Sequence, residues 1–288
     1  MSIFKIMVLA IVQGAAELLP VSSSAHVIVA EKLMGLDPTR PEMTLLLVML
    51  HTGTMFAVIG FFWRAWKRHF FASRKVFLTS AKFVALATVF TAVAGLSLKL
   101  LIEKLFMKDL PHAEIELLFG NLVLISISLA TVGILIIIAG WKAHERREAP
   151  SALDTRRSIW IGIMQGVCLP FRGFSRSGAT ISTGLLLGIE RARIEEFSFA
   201  LAVVLTPPVI VREVLRLLKA HHMSPSMSAS MMSLFYPSLL GMVLSFGTGI
   251  LALRWLSDWL ERGRWHFFGI YCLCASLAVF LLHVTLFS

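Results

Sequence analysis

Residues 13–26 read QGAAELLPVSSSAH, a run of small, polar and proline residues that interrupts an otherwise apolar segment over residues 3–36. The apolar arms on either side of this run are only about ten residues long, whereas a helix needs about 20 to cross the hydrocarbon core of a membrane. Each arm is therefore too short to span, and the segment is predicted to form a re-entrant hairpin of two half-helices. Irregular backbone is stable at membrane depth only where protein or a wet cavity satisfies its polar groups.

A second segment of the same design covers residues 158–189, where residues 165–180 read QGVCLPFRGFSRSGAT. The two polar runs resemble each other, because the Gln-Gly pair at residue 13 recurs at residue 165, and Gly-Leu at residue 35 recurs as Gly-Ile at residue 188. The alternative to an internal repeat is chance similarity between two Gly- and Ser-rich loops. The repeat is favoured because three apolar stretches follow each run.

The apolar stretches define the class of protein. Hydrophobic residues make up 57% of the 288 residues and charged residues only 15%, which excludes a disordered chain, a coiled coil and an ordinary water-soluble enzyme. Six stretches are each about as long as a membrane span requires. They are residues 43–62, 76–98, 117–140, 197–218, 234–253 and 266–287. The sequence therefore predicts an all-α integral membrane protein with six transmembrane helices and two re-entrant helical hairpins.

The repeat divides one membrane domain, residues 1–288, into repeat 1 at residues 1–140 and repeat 2 at residues 158–288. Each repeat has three crossings, an odd number, so the second copy starts from the opposite face of the membrane. This arrangement is an inverted-topology repeat, and it brings the two polar runs together near the midplane.

The charge distribution predicts the orientation. The chain has 27 Lys and Arg against 17 Asp and Glu, a net charge of +10. The cationic residues concentrate in one set of predicted loops, at 64–75, 141–157, 191–193 and 262–264, whereas the other set carries Arg40, Lys104, Lys108 and Lys219. The positive-inside rule places the first set in the cytoplasm. This orientation accounts for the basic surplus with no nucleic acid partner.

Other functional classes lack their signatures in the sequence. The three cysteines give neither a disulfide framework nor a four-ligand metal site. The sequence has no Walker loop, His-Glu-x-x-His motif or nucleotide fingerprint, so we expect neither ATP hydrolysis nor zinc proteolysis. We expect no cleavable signal in the first 20 residues.

The first polar run carries an acid, hydroxyls and an imidazole. Gln13 and Glu17 are four residues apart and share a helix face. A carboxylate within a membrane segment is a functional candidate by default, and the alternative is a neutral, hydrogen-bonded structural Glu. Ser22, Ser23 and Ser24 follow a helix-breaking Pro and lie at a helix start, where N–H groups favour an anion.

His26 lies one turn further on, where it is a candidate base or nucleophile, the alternative being a packed histidine. His51, in the first span, is a weaker candidate, and the favoured alternative is a polar helix contact.

The second polar run has the same design with a guanidinium added. A Gly-rich turn, hydroxyls and a helix start form a phosphate cradle, and arginine adds fork-like charge-assisted hydrogen bonds. For Arg176, the alternative is a salt bridge to Glu17. The candidate phosphate-binding residues are Arg172, Gly173, Ser175, Arg176, Ser177 and Thr180. A carboxylate, an imidazole, hydroxyls and guanidiniums together suit a phosphorylated substrate, and Glu17 is a candidate ligand for a divalent cation that bridges phosphates.

These motifs resemble those of the undecaprenyl-diphosphatase family of bacterial membrane phosphatases, which is associated with bacitracin resistance. The family's first signature is (Glu/Gln)-x-x-x-Glu followed by Leu-Pro-Val-Ser-Ser-x-x-His, and it stands here at residues 13–17 and 19–26. The second, Pro-Gly-x-Ser-Arg-Ser-x-x-Thr, stands at residues 172–180 with Arg172 in place of the usual Pro. Gln13 stands where the family permits Glu or Gln.

The resemblance implies dephosphorylation of undecaprenyl diphosphate to the monophosphate, in the bacterial inner membrane, which recycles the carrier lipid for peptidoglycan. It implies a divalent cation, Mg²⁺ or Ca²⁺, and the inverted-repeat fold. It implies that Glu17 is the motif acid and metal ligand with Gln13 nearby, that Arg176 binds phosphate, and that Ser23 or His26 attacks phosphorus.

Two other functions remain open at this point. A transporter or flippase for a phosphorylated polyprenyl lipid would use the same inverted repeat and the same anion-binding groups. Ser23 together with His26 and Glu17 favours the enzyme, since a carrier needs the positive charges but no nucleophile. A structural scaffold is disfavoured by the cost of burying Glu17 and Arg176 in a membrane.

Overall fold

The computed structural model describes residues 2–37, 41–106, 119–145, 151–223 and 227–286, and these residues form ten α-helices. The helices are α1 (Ile3–Leu18), α2 (Ser23–Leu33), α3 (Pro41–His69), α4 (Arg74–Phe106), α5 (Leu122–Glu145), α6 (Thr155–Cys168), α7 (Arg176–Leu186), α8 (Arg191–Met223), α9 (Met227–Glu261) and α10 (His266–Leu286). The described residues contain no sheet, and an isolated bridge joins Ser151 to Ile189. The predicted all-α class is confirmed.

Six of the helices are long and apolar enough to cross a membrane, and they coincide with the six predicted spans. By length and composition these spans are Met43–His69, Arg74–Lys104, Leu122–Glu145, Arg191–Leu215, Phe235–Glu261 and His266–Leu286. The prediction of a multi-pass membrane protein with six spanning helices is confirmed at this level.

The helices extend further into the cationic segments than the sequence indicated. Arg64, Lys67 and Arg68 lie within α3, and α4 begins at Arg74, so residues 70–73 alone connect these helices. Parts of the predicted loops lie outside the described residues, and so do the side chains of several cations that were used to predict the orientation. These cations are Arg40, Lys108, Arg146, Arg147 and Lys219.

Two of the predicted span boundaries were wrong. The third span was expected from residue 117, but α5 begins at Leu122, because the Asn121 side chain accepts hydrogen bonds from the N–H groups of Val123 (3.0 Å) and Leu124 (3.1 Å) and caps the helix. The fourth span was expected from residue 197, but α8 begins six residues earlier, at Arg191.

The chain divides into two compact units, and each contains segments of both predicted repeats. The first unit comprises Met1–Leu19, His26–Trp63 and Ala202–Leu256. The second comprises Pro20–Ala25, Arg64–Leu201 and Ser257–Ser288.

In the first unit, α1 and α3 pack against α9 through glycines. A Cβ added at Gly14 of α1 would lie 2.7 Å from the Ser245 carbonyl oxygen, and one added at Gly53 of α3 would clash with the Ser245 hydroxyl. The Ser245 hydroxyl donates to the Leu50 carbonyl of α3 at 2.9 Å. We call this contact of α1 and α3 with α9 around Ser245 the α9 junction. Small residues at such contacts let helix backbones approach closely, as is usual in membranes.

The second unit uses the same device in other helix pairs. Cβ atoms added at Gly133 of α5 and Gly269 of α10 would each lie within 3.0 Å of the other residue's carbonyl oxygen. Ser126 and Ser276 reinforce this pair, because each hydroxyl donates to the other residue's carbonyl, at 3.0 and 2.7 Å. Close backbone approach therefore positions the helices that flank the polar runs.

Candidate functional site

The helix breaks are narrower than the polar runs that predicted them. Helix α1 continues to Leu18, so Gln13 and Glu17 are helical, because Gln, Ala and Glu favour a helix until Pro20 ends it. The irregular segments are residues 19–22 and 169–175.

Glu17 is held by a buried glutamine and faces a histidine. The Gln13 amide Nε2–H donates to Glu17 Oε2 at 3.0 Å, and Gln13 is buried. His51 Nε2 of α3 lies 3.9 Å from the same oxygen. The side chains of Glu17 and His51 are 21% and 38% exposed, so both remain accessible to a ligand. We call Gln13, Glu17 and His51 the acid cluster.

The α9 junction holds both helices of the acid cluster against α9. Gly14 lies three residues before Glu17 and shares its face of α1, and it contacts α9 at Ser245. Gly53 of α3 contacts the same residue, whereas His51, two residues earlier, lies on a different side of α3. Gln13, four residues before Glu17, donates to its carboxylate.

The two polar runs meet in the second unit through a hydroxyl and a backbone N–H. The Ser24 hydroxyl accepts a hydrogen bond from the Gly173 backbone N–H at 3.2 Å, and it lies 3.2 Å from the Ser22 hydroxyl. The Ser175 hydroxyl lies 3.4 Å from that of Ser177 and caps α7 by accepting from the Gly178 N–H at 3.2 Å. We call Ser22, Ser24, Gly173, Ser175 and Ser177 the hydroxyl cluster.

The backbone turns sharply at one residue in each break. Ser22 has a φ of 68° and Gly173 a φ of 96°. Both values lie in the region of positive φ that residues other than glycine rarely adopt. Gly173 is also close to α5, because an added Cβ would lie 2.6 Å from the Ile125 carbonyl oxygen. The first break is fixed to α10, where the Cys272 thiol donates to the Pro20 carbonyl at 3.3 Å. Each break is therefore a defined turn held against a spanning helix.

The predicted nucleophile and the predicted phosphate-binding arginine are the first residues of their helices. Ser23 begins α2 and Arg176 begins α7, and both are half-buried. Helix starts present unpaired N–H groups and a partial positive charge, which favour an anion. His26 is half-buried in α2, three residues after Ser23, which is the spacing at which helical side chains are neighbours.

Two residues predicted to bind phosphate make other contacts. Thr180 is fully buried, and its hydroxyl lies 2.6 Å from the Ser198 hydroxyl of α8 and donates to the Arg176 carbonyl at 2.8 Å. The exposed Arg172 guanidinium lies 4.5 Å from the centre of the Phe119 ring, a cation–π contact. The Thr180 hydroxyl has one proton, so donation to a phosphate would require its hydrogen bond to the Arg176 carbonyl to break.

His51 lies closer to Glu17 than the sequence indicated. The predicted helix contact is confirmed, since His51 Nδ1 lies 2.8 Å from the Leu47 carbonyl oxygen one turn earlier. Its proximity to Glu17 was not predicted, because it depends on how α1 and α3 pack. The signal that could have indicated a role was an ionisable side chain within a span.

Comparisons with known proteins agree with these features along the whole chain. Residues 6–278 match the family described as bacitracin resistance protein BacA. The chain is 55% identical to undecaprenyl-diphosphatase 2 of Acinetobacter baylyi, over 98% of both chains. It is 32% identical to undecaprenyl-diphosphatase 2 of Burkholderia thailandensis, over 96% of this chain and 95% of that one. It is 28% identical to undecaprenyl-diphosphatase of Korarchaeum cryptofilum, over 97% and 98%.

Proposed function

Because this chain belongs to the family of the bacitracin resistance protein BacA, we propose that it hydrolyses undecaprenyl diphosphate to undecaprenyl phosphate and inorganic phosphate. The observation that carries the proposal is full-length similarity to relatives named for this activity. The enzyme is a multi-pass protein of the bacterial inner membrane, and its product returns the carrier lipid to cell-wall synthesis. The substrate is the lipid diphosphate itself.

The proposed fold is an inverted repeat with two re-entrant hairpins, α1–α2 and α6–α7. The ends of α2 and α7 support it. Gly35 and Gly188 both have positive φ, 62° and 82°, and the following Leu36 and Ile189 each donate to the carbonyl five residues earlier, at 2.9 and 3.0 Å. This is the same glycine-ended helix cap, repeated at an offset of 153 residues.

Reciprocal packing also supports the repeat. Gly14 of α1 contacts α9, the second long helix after the second polar run. Gly166 of α6 contacts α4, the second long helix after the first run, and an added Cβ would lie 2.7 Å from the Thr91 carbonyl oxygen. Equivalent glycines therefore pack each hairpin against the equivalent helix of the other repeat.

The hydroxyl cluster is the proposed binding site for the diphosphate, together with Arg176. Ser22, Ser24, Ser175 and Ser177 offer hydroxyl donors, the start of α7 offers backbone N–H groups, and the guanidinium pairs with phosphate oxygens in a fork. Thr180 and Arg172 are also proposed to bind the diphosphate, in a lesser role. The Thr180 hydroxyl is hydrogen-bonded to that of Ser198, and the Arg172 guanidinium lies over the Phe119 ring.

Ser23 is the proposed nucleophile. Its Oγ forms a bond to the terminal phosphorus while the bridging P–O bond breaks, and undecaprenyl phosphate leaves with the bond's electrons. His26 accepts the serine proton and passes it to the departing undecaprenyl phosphate, so the imidazole is neutral again. It then accepts a proton from the water whose oxygen attacks the phosphoserine, while the Ser23 Oγ–P bond breaks, Ser23 regains a proton from His26 and inorganic phosphate leaves. The half-buried positions of both residues and their spacing in α2 support these roles. Direct attack by His26 is the alternative route.

The acid cluster is the proposed place for a divalent cation, Mg²⁺ or Ca²⁺. Magnesium is commonly bound by one or two carboxylates together with substrate phosphates, so a single carboxylate in a half-exposed position fits this group. Glu17 would hold the cation, with Gln13 fixing the carboxylate. When bound, the cation would neutralise charge on the diphosphate.

A flippase for the same lipid remains the alternative function, and the names of the relatives do not favour it. The test is phosphate release from undecaprenyl diphosphate by the purified protein in detergent, with and without a chelator. We expect release that the chelator abolishes and that Arg176→Ala lowers by about 100-fold or more. Equal release by the parent and Arg176→Ala would identify a contaminating phosphatase and contradict the proposal.

A further inference from the structure

The ring of His51 has a defined orientation. Its Nδ1 lies 2.8 Å from the Leu47 carbonyl oxygen, and a carbonyl can only accept, so Nδ1 carries the proton. In the neutral ring, Nε2 is then a bare acceptor. This is how second-shell carbonyls orient histidines that bind metals through the other ring nitrogen.

The distance from His51 Nε2 to Glu17 Oε2 is too long for a direct hydrogen bond. The two atoms are 3.9 Å apart, whereas N–H···O bonds are about 2.7–3.2 Å long. A cation binds nitrogen or oxygen ligands at about 2.0–2.6 Å, so two ligands of one ion can lie up to about 4–5 Å apart. The distance of 3.9 Å between the two atoms is therefore within the range for two ligands of one ion.

We propose that His51 Nε2 and the Glu17 carboxylate bind the same divalent cation, so that the cation site of this chain includes a nitrogen ligand. The inference rests on the proposed function for its cation. Imidazole suits transition ions such as Zn²⁺, whereas carboxylates, carbonyls and water suit Mg²⁺, Ca²⁺ and Mn²⁺. The nitrogen ligand should therefore raise the affinity of this site for transition ions above that of a site made of oxygen ligands alone, without excluding Mg²⁺ or Ca²⁺.

The surroundings of the pair are built to keep this geometry. The Ser245 hydroxyl donates to the carbonyl of Leu50, the residue before His51, and so fixes α3 at this point. Gln13 donates to Glu17 and leaves the carboxylate oriented towards His51. The two ligands come from different helices, and neither depends on the irregular segments.

The test uses Mn²⁺ as a paramagnetic probe of the full-length protein. The protein is purified through an affinity tag that contains no histidine. Pulsed electron paramagnetic resonance detects the coupling of bound Mn²⁺ to a ligating ¹⁴N nucleus without any turnover. We expect ¹⁴N modulation in the parent protein and its loss in His51→Gln. Titration should also show that His51→Gln weakens Mn²⁺ binding by about tenfold or more, with a smaller effect on Mg²⁺.

His144→Gln is the matched control, because His144 is an exposed histidine in the last turn of α5. It should keep the ¹⁴N modulation and the Mn²⁺ affinity of the parent. Glu17→Gln should weaken Mn²⁺ binding at least as strongly as His51→Gln.

The inference is overturned if Mn²⁺ does not bind, if bound Mn²⁺ has no ¹⁴N coupling, or if the coupling survives in His51→Gln. These results are separable from failure of the proposed function. Phosphate release with no nitrogen coupling leaves the phosphatase intact and removes His51 from the cation site. Nitrogen coupling with no phosphate release would leave the cation site intact and refute the phosphatase.

Discussion

The two polar runs share a backbone design but carry complementary chemistry. At an offset of 153 residues, Ser22 corresponds to the capping Ser175, Ser24 to Ser177, and the candidate nucleophile Ser23 to Arg176. His26 corresponds to the buried Ala179. On the proposed assignment, one run offers a nucleophile and a base, whereas the other offers a guanidinium and a helix cap.

The glutamines at the start of the two runs donate to different kinds of partner. Gln13 donates to the carboxylate of Glu17, whereas Gln165 is fully buried and donates to the Thr91 hydroxyl at 3.0 Å. At the matching offset of 152, Glu17 corresponds to Leu169. The two similar polar runs therefore place different side chains at matching positions, and the proposed function assigns those side chains to different steps of one reaction.

The correspondence between the two runs fails entirely if they do not enter the membrane from opposite faces. The loops at Gly120 and Arg262 both join the second and third spans of their repeats, and both positions are exposed. In a background with the exposed Cys274 replaced by Ser, Gly120→Cys should react with an impermeant maleimide in intact cells. Arg262→Cys should react only after permeabilisation. Equal reaction of both in intact cells would contradict the inverted repeat.

The next largest effect tests the charged residue that each run contributes. Glu17→Ala and Arg176→Ala should each lower the rate of phosphate release by about 100-fold or more, because both stabilise charge that develops during phosphoryl transfer. Arg176→Lys should also fail, since a point charge cannot replace the planar fork. Membrane levels of each variant provide the control, and a near-parental rate in Arg176→Lys would show that charge alone matters.

The assignment of the nucleophile is tested within the first run. Ser23→Ala and His26→Ala should each lower turnover by about 100-fold or more, and the double variant should be no worse, because residues that act as a unit are not additive. Steady-state phosphate release measures all three. Full activity in Ser23→Ala with a trapped phosphohistidine at His26 would make His26 the nucleophile.

The smallest effect concerns the hydrogen bond that joins the runs. Ser24→Ala removes the acceptor for the Gly173 N–H, and we expect a loss of about 1 kcal/mol, or roughly fivefold in turnover. Ser24→Thr keeps the hydroxyl and should retain near-parental turnover. A loss as large as that of Ser23→Ala would show that Ser24 contributes far more to turnover than the single hydrogen bond between the runs.

The sequence predicted the features that depend on local composition. Hydropathy alone located all six spans, and proline with glycine and serine located both helix breaks. The breaks predicted from the sequence were too long, because the helix-forming residues up to Glu17 keep α1 helical in spite of the polar character of the run. The fourth span was also expected only from residue 197, six residues after α8 begins at Arg191.

The sequence did not predict the features that depend on packing between distant segments. The approach of His51 to Glu17 depends on how α1 and α3 pack, and both helices contact Ser245, which is 195 residues from Leu50 in the sequence. Likewise, nothing near Thr180 in the run itself indicates that Ser198 engages its hydroxyl. Motif residues were found by spacing, but their partners were found only in the folded chain.

The α9 junction has an evolutionary consequence. Any side chain at Gly14 or Gly53 would collide with α9, so the spacing between α1 and α3 cannot be adjusted by small steps. The identity of residue 51 is free of this constraint, because its side chain is part-exposed beside Glu17. On the proposal that His51 binds the cation, a single codon change at residue 51 would alter the metal preference of a lineage, while the helix framework that presents this residue stays fixed.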